Sequence, residues 1–193
     1  MIGIGLKNVI HQRKVCESHI FKRRLAECRW RKRVFLQPRY AQQIGPTMIT
    51  EEHYRRLESM YAAAPINAFF RPRMHVQEGC AEIEIDVLEK YFHAAGAVHG
   101  SVYFKMLDDA AFFASNSYES EVFVLTTAFT TYLTRPVSSG VIKAIGRVAN
   151  KTRSQFIAEA VLQDADGNEL GRGSGIFVRG KIKLCDALGY GSA

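Results

Sequence analysis

No run in the 193 residues approaches the ~20 consecutive apolar side chains that a membrane-spanning helix needs, and no apolar stretch ends in a small-residue cleavage site. A soluble, cytoplasmic protein is the expectation. Cysteine is sparse: Cys16, Cys28, Cys80 and Cys185 show no Cys-x-x-Cys spacing and no clustered histidine partner, so neither a zinc site nor a disulfide framework is expected. A glycine-rich phosphate loop is lacking, as is a Gly-x-Ser-x-Gly turn, which argues against nucleotide-dependent and serine-hydrolase chemistry. No cofactor is expected.

Acidic residues are scarce in one place only. Residues 1–47 hold 11 Lys or Arg against Glu17 and Glu27, a balance of +9 out of a net +7, so the rest of the chain sums to −2. The clusters Phe21-Lys-Arg-Arg24 and Arg29-Trp-Arg-Lys-Arg33 could hold nucleic acid or an anionic membrane surface. No helix-turn-helix, zinc or RNA-recognition pattern accompanies them, so nucleic acid is not the expected partner and a solvated basic leader is. The segment is also Arg-rich and acid-poor like a transit peptide, but has one serine, Ser18, and Met48 could itself be the natural start. The expected organisation is a leader over 1–47, a domain over 48–180 and a tail over 181–193. Because the leader's apolar residues are few and scattered, a chain beginning at Met48 is expected to melt in calorimetry as the full chain does.

From Thr50, a candidate N-cap, Glu51 to Tyr61 reads as a helix with Glu51–Arg55 and Glu52–Arg56 on its wet face, Tyr54, Leu57 and Tyr61 inside, and Pro65 beyond its end. Phe69 and Phe70 follow, either as core packing or as the lining of an apolar tunnel. Five strands are expected: Ala81–Val87, which alternates apolar and acidic residues, then Val122–Leu133, Val141–Ala149, Gln155–Leu162 and, after the turn signal Asp164-Ala-Asp-Gly167, Leu170–Val178. Gly171, Gly173 and Gly175 bare one face of the last strand, which would let the sheet lie close on a helix.

That helix is expected from about Gly100 to Ser117. Val102, Tyr103, Phe104, Met106, Leu107, Ala110, Ala111, Phe112 and Phe113 leave almost no polar face, the mark of a helix buried all round. A carboxylate in such surroundings costs several kcal/mol unless it is paired, bonded or protonated. Lys105 can serve Asp109, one turn on, or Asp108, three residues on, but it cannot neutralise both. At the helix start, His99-Gly100-Ser101 leaves backbone N–H groups open to a ligand oxygen. One long apolar helix wrapped by an antiparallel sheet is an α+β architecture, the hotdog fold.

The series His93-x-x-Gly96-x-x-His99-Gly100-Ser101, with Asp108 nine residues after His99, resembles the Asn-x-x-Gly-x-x-His-Gly-Gly…Asp pattern of hotdog-fold acyl-CoA thioesterases of the PaaI-like branch. The resemblance runs from about Arg73 to Val178 and includes a strand that ends in Arg135-Pro136. His93 stands where that family has Asn, and Ser101 where it has the second Gly. The resemblance implies an acyl-CoA substrate, a homodimer that could pair into a tetramer, and Asp108 as general base or nucleophile. It sets His93 beside the thioester and, counting back from Pro136, the hydroxyl of Thr126, or of Thr127 if the register slips, where related enzymes orient water. Gly100 N–H would polarise the carbonyl. His99 and Ser101 belong to the substrate loop, His99 chiefly as its anchor, and Arg135, Arg147 and Arg153 are candidates for CoA phosphates. The alternative is a non-catalytic acyl-CoA-binding module with the leader as a nucleic-acid arm. A hotdog dehydratase or hydratase is disfavoured, since neither a His-Phe-Pro nor an Asp-x-Asn-Pro segment is present.

Overall fold

A computed structural model describes residues 49–191. The basic leader over 1–47, with its nucleic-acid, membrane and transit-peptide readings, lies outside the described residues. The elements run α1 (Glu51–Ala63), α2 (Asn67–Phe70), β1 (Arg73–Gln77), β2 (Cys80–Asp86), α3 (Gly100–Asn116), β3 (Val122–Leu133), β4 (Val141–Lys151), β5 (Gln155–Asp164) and β6 (Glu169–Lys183). The strands form one antiparallel sheet in the order β1-β2-β4-β5-β6-β3, with α3 packed on it. No described helix is long and apolar enough to cross a membrane.

The sheet buries one face by alternation: Ile83 and Ile85 of β2, Ile142 and Ala144 of β4, Phe156, Ala158, Ala160 and Leu162 of β5, and Leu170 and Phe177 of β6 point inward. Against them α3 sets Val102, Met106, Leu107, Ala110, Ala111 and Ala114, all buried. Each large side chain so enclosed contributes about 1.5–3 kcal/mol relative to exposure. Alanines on both surfaces bring helix and sheet close, and the tightest approach is at Gly146, where an added Cβ would lie 2.1 Å from the Ala110 carbonyl oxygen. This corrects the reading of the β6 glycines. A Cβ at Gly173 or Gly175 would instead strike the Phe129 ring, at 2.5 and 2.4 Å, so the bare row holds an aromatic from β3 and the helix rests on β4.

In α1, Tyr54, Leu57, Met60 and Tyr61 face inward and Glu51–Arg55 and Glu52–Arg56 pair outside. Thr50 sits at the N-cap but its hydroxyl makes no capping bond. One wall came from no local pattern. His53 is buried, its Nε2–H donates to the Asn116 carbonyl at 3.0 Å, and its Nδ1 accepts from the Tyr190 hydroxyl at 2.6 Å. Burial holds His53 below the ordinary histidine pKa, which suits this neutral form. Residues 181–191 thus include three further residues of β6 and a buried tyrosine that ties the end of the chain to α1 and α3. Tyr190→Phe would leave Nδ1 buried without a donor. The expected result is a loss of about 1–3 kcal/mol, read as a lowered melting temperature.

Candidate active site

The loop before α3 is a tight hairpin. His93 N–H donates to Ala97 O, Gly96 N–H to His93 O, and Val98 N–H to Val137 O. Gly96 adopts φ +78°, a left-handed conformation that glycine takes without strain. His99 caps the helix: its Nδ1 accepts from the Ser101 N–H at 3.1 Å and lies 2.8 Å from the Ser101 hydroxyl. Ser101 is therefore the partner of the cap rather than the cap itself. His93 is exposed, and its Nδ1 accepts from the Ala95 N–H, so a neutral ring carries its proton on Nε2. Among the described residues no acceptor reaches the Gly100 N–H, which is free as the first donor of a helix should be.

One turn and more along α3 the two carboxylates part company. Asp109 takes Lys105 as its ion pair and accepts from the Tyr61 hydroxyl at 2.7 Å, with both charged side chains mostly buried. The open pairing of Lys105 is thus resolved in favour of Asp109. Burial and the neighbouring carboxylate push the Tyr61 phenol well up, so it stays a donor. Among the described residues, Asp108 has no cation in contact. Its Oδ1 accepts from the Thr126 hydroxyl at 3.1 Å, while the Thr127 hydroxyl is turned to the Ile176 carbonyl on β6. Burial pushes Asp108 up to about 6, opposed by the Thr126 hydrogen bond, helped by the Asp109 charge and opposed again by the Lys105 charge.

Asp108 and Thr126 open on a cavity of about 700 Å³ between α1, α3 and β3, mostly apolar, with Met60, Phe112, Phe113 and Leu188 among its walls. Ile66 and Asn67 reach it but Phe69 and Phe70 do not. Those two meet Tyr91 edge-on and tilted, with ring centroids 5.4 and 5.2 Å away; Phe70 packs against the core, whereas Phe69 is 47% exposed. Sequence reasoning missed the walls given by residues 60–67 and 187–189, which carry no motif.

The predicted residues gather at two separate ends. Gly100, His93, His99 and Ser101 sit with Arg135, whose carbonyl accepts from Tyr103 at 3.0 Å, and none of them lines the cavity. Gly100 and Asp108 are eight residues apart on one helix, roughly 12 Å. Arg153 lies at the other end again, its carbonyl held by the Arg179 side chain on β6. Arg135 donates its backbone N–H to Leu170, at the start of that strand, so the two arginines lie on the order of 30 Å apart within one chain.

With Asp108 raised, a carboxylate acting as base is half protonated near pH 6. Turnover is expected to fall about tenfold per unit below that pH and to level off above it. Thr126→Val removes the bond that favours the charged form, so the acid limb of a kcat/KM profile should move to higher pH.

Residues 95–170 match the family model of the thioesterase superfamily. A search of curated proteins finds no match. Among solved structures, the chain is similar to the Escherichia coli PaaI protein of the phenylacetic acid degradation operon, at 16% identity and a TM-score of 0.64, covering 70% of this chain and 98% of that one. A mutant thioesterase of Pseudomonas aeruginosa aligns at 14% identity and a TM-score of 0.61, over 70% and 97%. A Haemophilus influenzae thioesterase aligns at 15% identity and 0.57, over 62% and 85%. At such identities these likenesses establish the hotdog fold.

Proposed function

We infer that this chain, which belongs over residues 95–170 to the thioesterase superfamily and is a hotdog-fold thioester hydrolase, takes an acyl-CoA as substrate and releases the free acid and CoA. The observation that carries this reading is Asp108: a half-buried carboxylate without a cation in contact among the described residues, held by Thr126 at the wall of a mostly apolar cavity. The acyl group enters the cavity, and Asp108 either takes a proton from the attacking water or attacks the carbonyl itself. The Gly100 N–H, at the positive end of α3, receives the developing oxyanion, a kind of contact typically worth about 2.7–4 kcal/mol. His93 Nε2–H is a donor for the thioester, as the amide in the family pattern is. No cofactor takes part.

Because Gly100 and Asp108 of one chain cannot reach one carbonyl, the site is made by two chains whose α3 helices pack antiparallel about a two-fold axis. The same pairing brings the Arg135 end of one chain to the Arg153 end of the other, where both can meet CoA phosphates. Phe104, Leu125, Tyr132 and Leu133 are 44, 44, 60 and 53% exposed on α3 and the β3 edge, an apolar surface that a second copy would cover.

A panel of acyl-CoA thioesters, with acyl-pantetheine thioesters beside them, assayed for thiol release tests the reading. Release from acyl-CoA, slower from acyl-pantetheine, is the expected result. Release from no member of the panel ends it.

A further inference from the structure

The geometry points to a length-selecting end stop: the turn Ala187–Gly189 closes the acyl cavity opposite Asp108, Leu188 sets the acyl length, and the site takes an unbranched, apolar, medium-chain acyl group. This rests on the proposed acyl-CoA thioesterase reading, with Asp108 at the reacting end.

The cavity has a direction. On α3 its wall passes from Lys105, Asp108 and Asp109 to Phe112 and Phe113, and on β3 from Thr126 back to Phe123, whose ring packs on Phe112 at 5.0 Å. Both elements therefore lead away from Asp108 toward the C-terminal end of α3. The chain after β6 crosses that end. Leu184 N–H donates to Glu121 O just before β3, and Tyr190 reaches His53, which holds the carbonyl of Asn116, the last residue of α3. Between these two anchors lie Ala187, Leu188 and Gly189, which face the cavity. Asn116 is eight residues past Asp108, about 12 Å of helix, which bounds the room for an extended chain.

The stop is docked closely. Gly189 has φ +79°, and a Cβ there would lie 2.6 Å from the Ala63 Cβ, so the turn rests directly on the end of α1. Leu188 is half-buried and packs on the core. The charged groups of the cavity all belong to its Asp108 end, where Lys105 and Asp109 neutralise each other. Beyond Phe112 the α3 and β3 walls, Phe113 and Phe123, and the stop, Leu188, are apolar, which suits a hydrocarbon tail rather than a charged or hydroxylated one.

The test measures kcat/KM of the full chain for butyryl-, octanoyl- and hexadecanoyl-CoA. Octanoyl-CoA should be preferred. Leu188→Ala should raise the hexadecanoyl-to-octanoyl ratio by about tenfold or more, and Leu188→Trp should lower the octanoyl-to-butyryl ratio by a similar factor. Calorimetric titration of the Asp108→Asn protein, with and without each Leu188 change, should show the same reordering in Kd, and melting curves check that each variant is folded. If wild type hydrolyses the panel but folded Leu188 variants leave the ratios unchanged, or if hexadecanoyl-CoA is preferred from the start, the end stop is overturned while the thioesterase reading stands. If wild type releases thiol from none of these three but does so from other members of the acyl-CoA panel, the end stop is overturned while the thioesterase reading stands; if it releases thiol from no member of that panel, that reading falls first and the end stop with it.

Discussion

Asp108→Asn is expected to lower kcat by about a hundred- to ten-thousand-fold, the range over which a positioned base typically contributes, while leaving the fold intact. The exchange is isosteric, and the amide can still accept from Thr126. Its effect on stability has a definite sign. The folded protein holds Asp108 at about 6 against an ordinary value of 3.8, so the folded state binds the proton more tightly than the unfolded chain. The stability associated with that proton is present below about pH 3.8 and is lost as pH rises through 6. The neutral variant escapes this loss, so at pH 7 it should melt no lower than wild type. Asp109→Asn should behave in the opposite way, with a milder loss of rate and a lowered melting temperature, because it leaves the Lys105 ammonium without its charge partner in a mostly buried cluster, even though the amide oxygen can still accept from Tyr61. If the two variants lose rate equally, or the Asp109 variant loses more, the base has been assigned to the wrong carboxylate.

Two inactive chains should together recover roughly a quarter of wild-type activity if the site is shared across a dimer. One partner is Asp108→Asn. The other is Gly100→Pro, which lacks the N–H yet suits the first position of a helix. An added Cβ at Gly100 meets the end of Leu133, an exposed side chain that can turn aside, at 3.1 Å. Random reassortment after joint unfolding and refolding makes about half of the dimers mixed, each with one whole site of two. Mixtures that stay inactive although mass spectrometry finds mixed dimers would overturn both the shared site and the assignment of Gly100 and Asp108 to one carbonyl.

What could be read from the sequence was what is local along it. Strand β3 runs Val122–Leu133 as expected, and α3 ends at Asn116, one residue short, because an apolar run between Gly100 and Ser117 has a clear start and stop. Strands β4, β5 and β6 run further than their apolar cores, to Lys151, Asp164 and Lys183, since ladder bonding does not require apolar side chains, while β2 lies one residue earlier than expected, over Cys80–Asp86. Strand β1 went unread. In Arg73-Met-His-Val-Gln77 only Val76 is fully buried, and an edge strand of five residues shows too little alternation to be seen. The Lys105–Asp109 pair follows from helical spacing, and Thr126 from counting back along one strand. His53 and Tyr190 meet across 137 residues, and a polar residue on a charged helix gives no local sign of burial. The glycine row of β6 was visible, but its occupant, Phe129, depends on the register of a strand some forty residues earlier.

That register also sets an order of events at the ribosome. Among the described residues, strand β3 pairs with β6 and with no other strand, so once residues 122–133 have been made they have no partner there until residues 169–183 follow. Throughout that interval the twelve-residue strand, carrying Leu125, Tyr132 and Leu133, presents an open edge while α3 already exists to pack on it. Nascent chains on one message are then close enough to pair through unfinished edges, and slow translation of the segment between Pro136 and Asn168 lengthens the exposure. A chain cut short before β6 should be aggregation-prone rather than merely less stable.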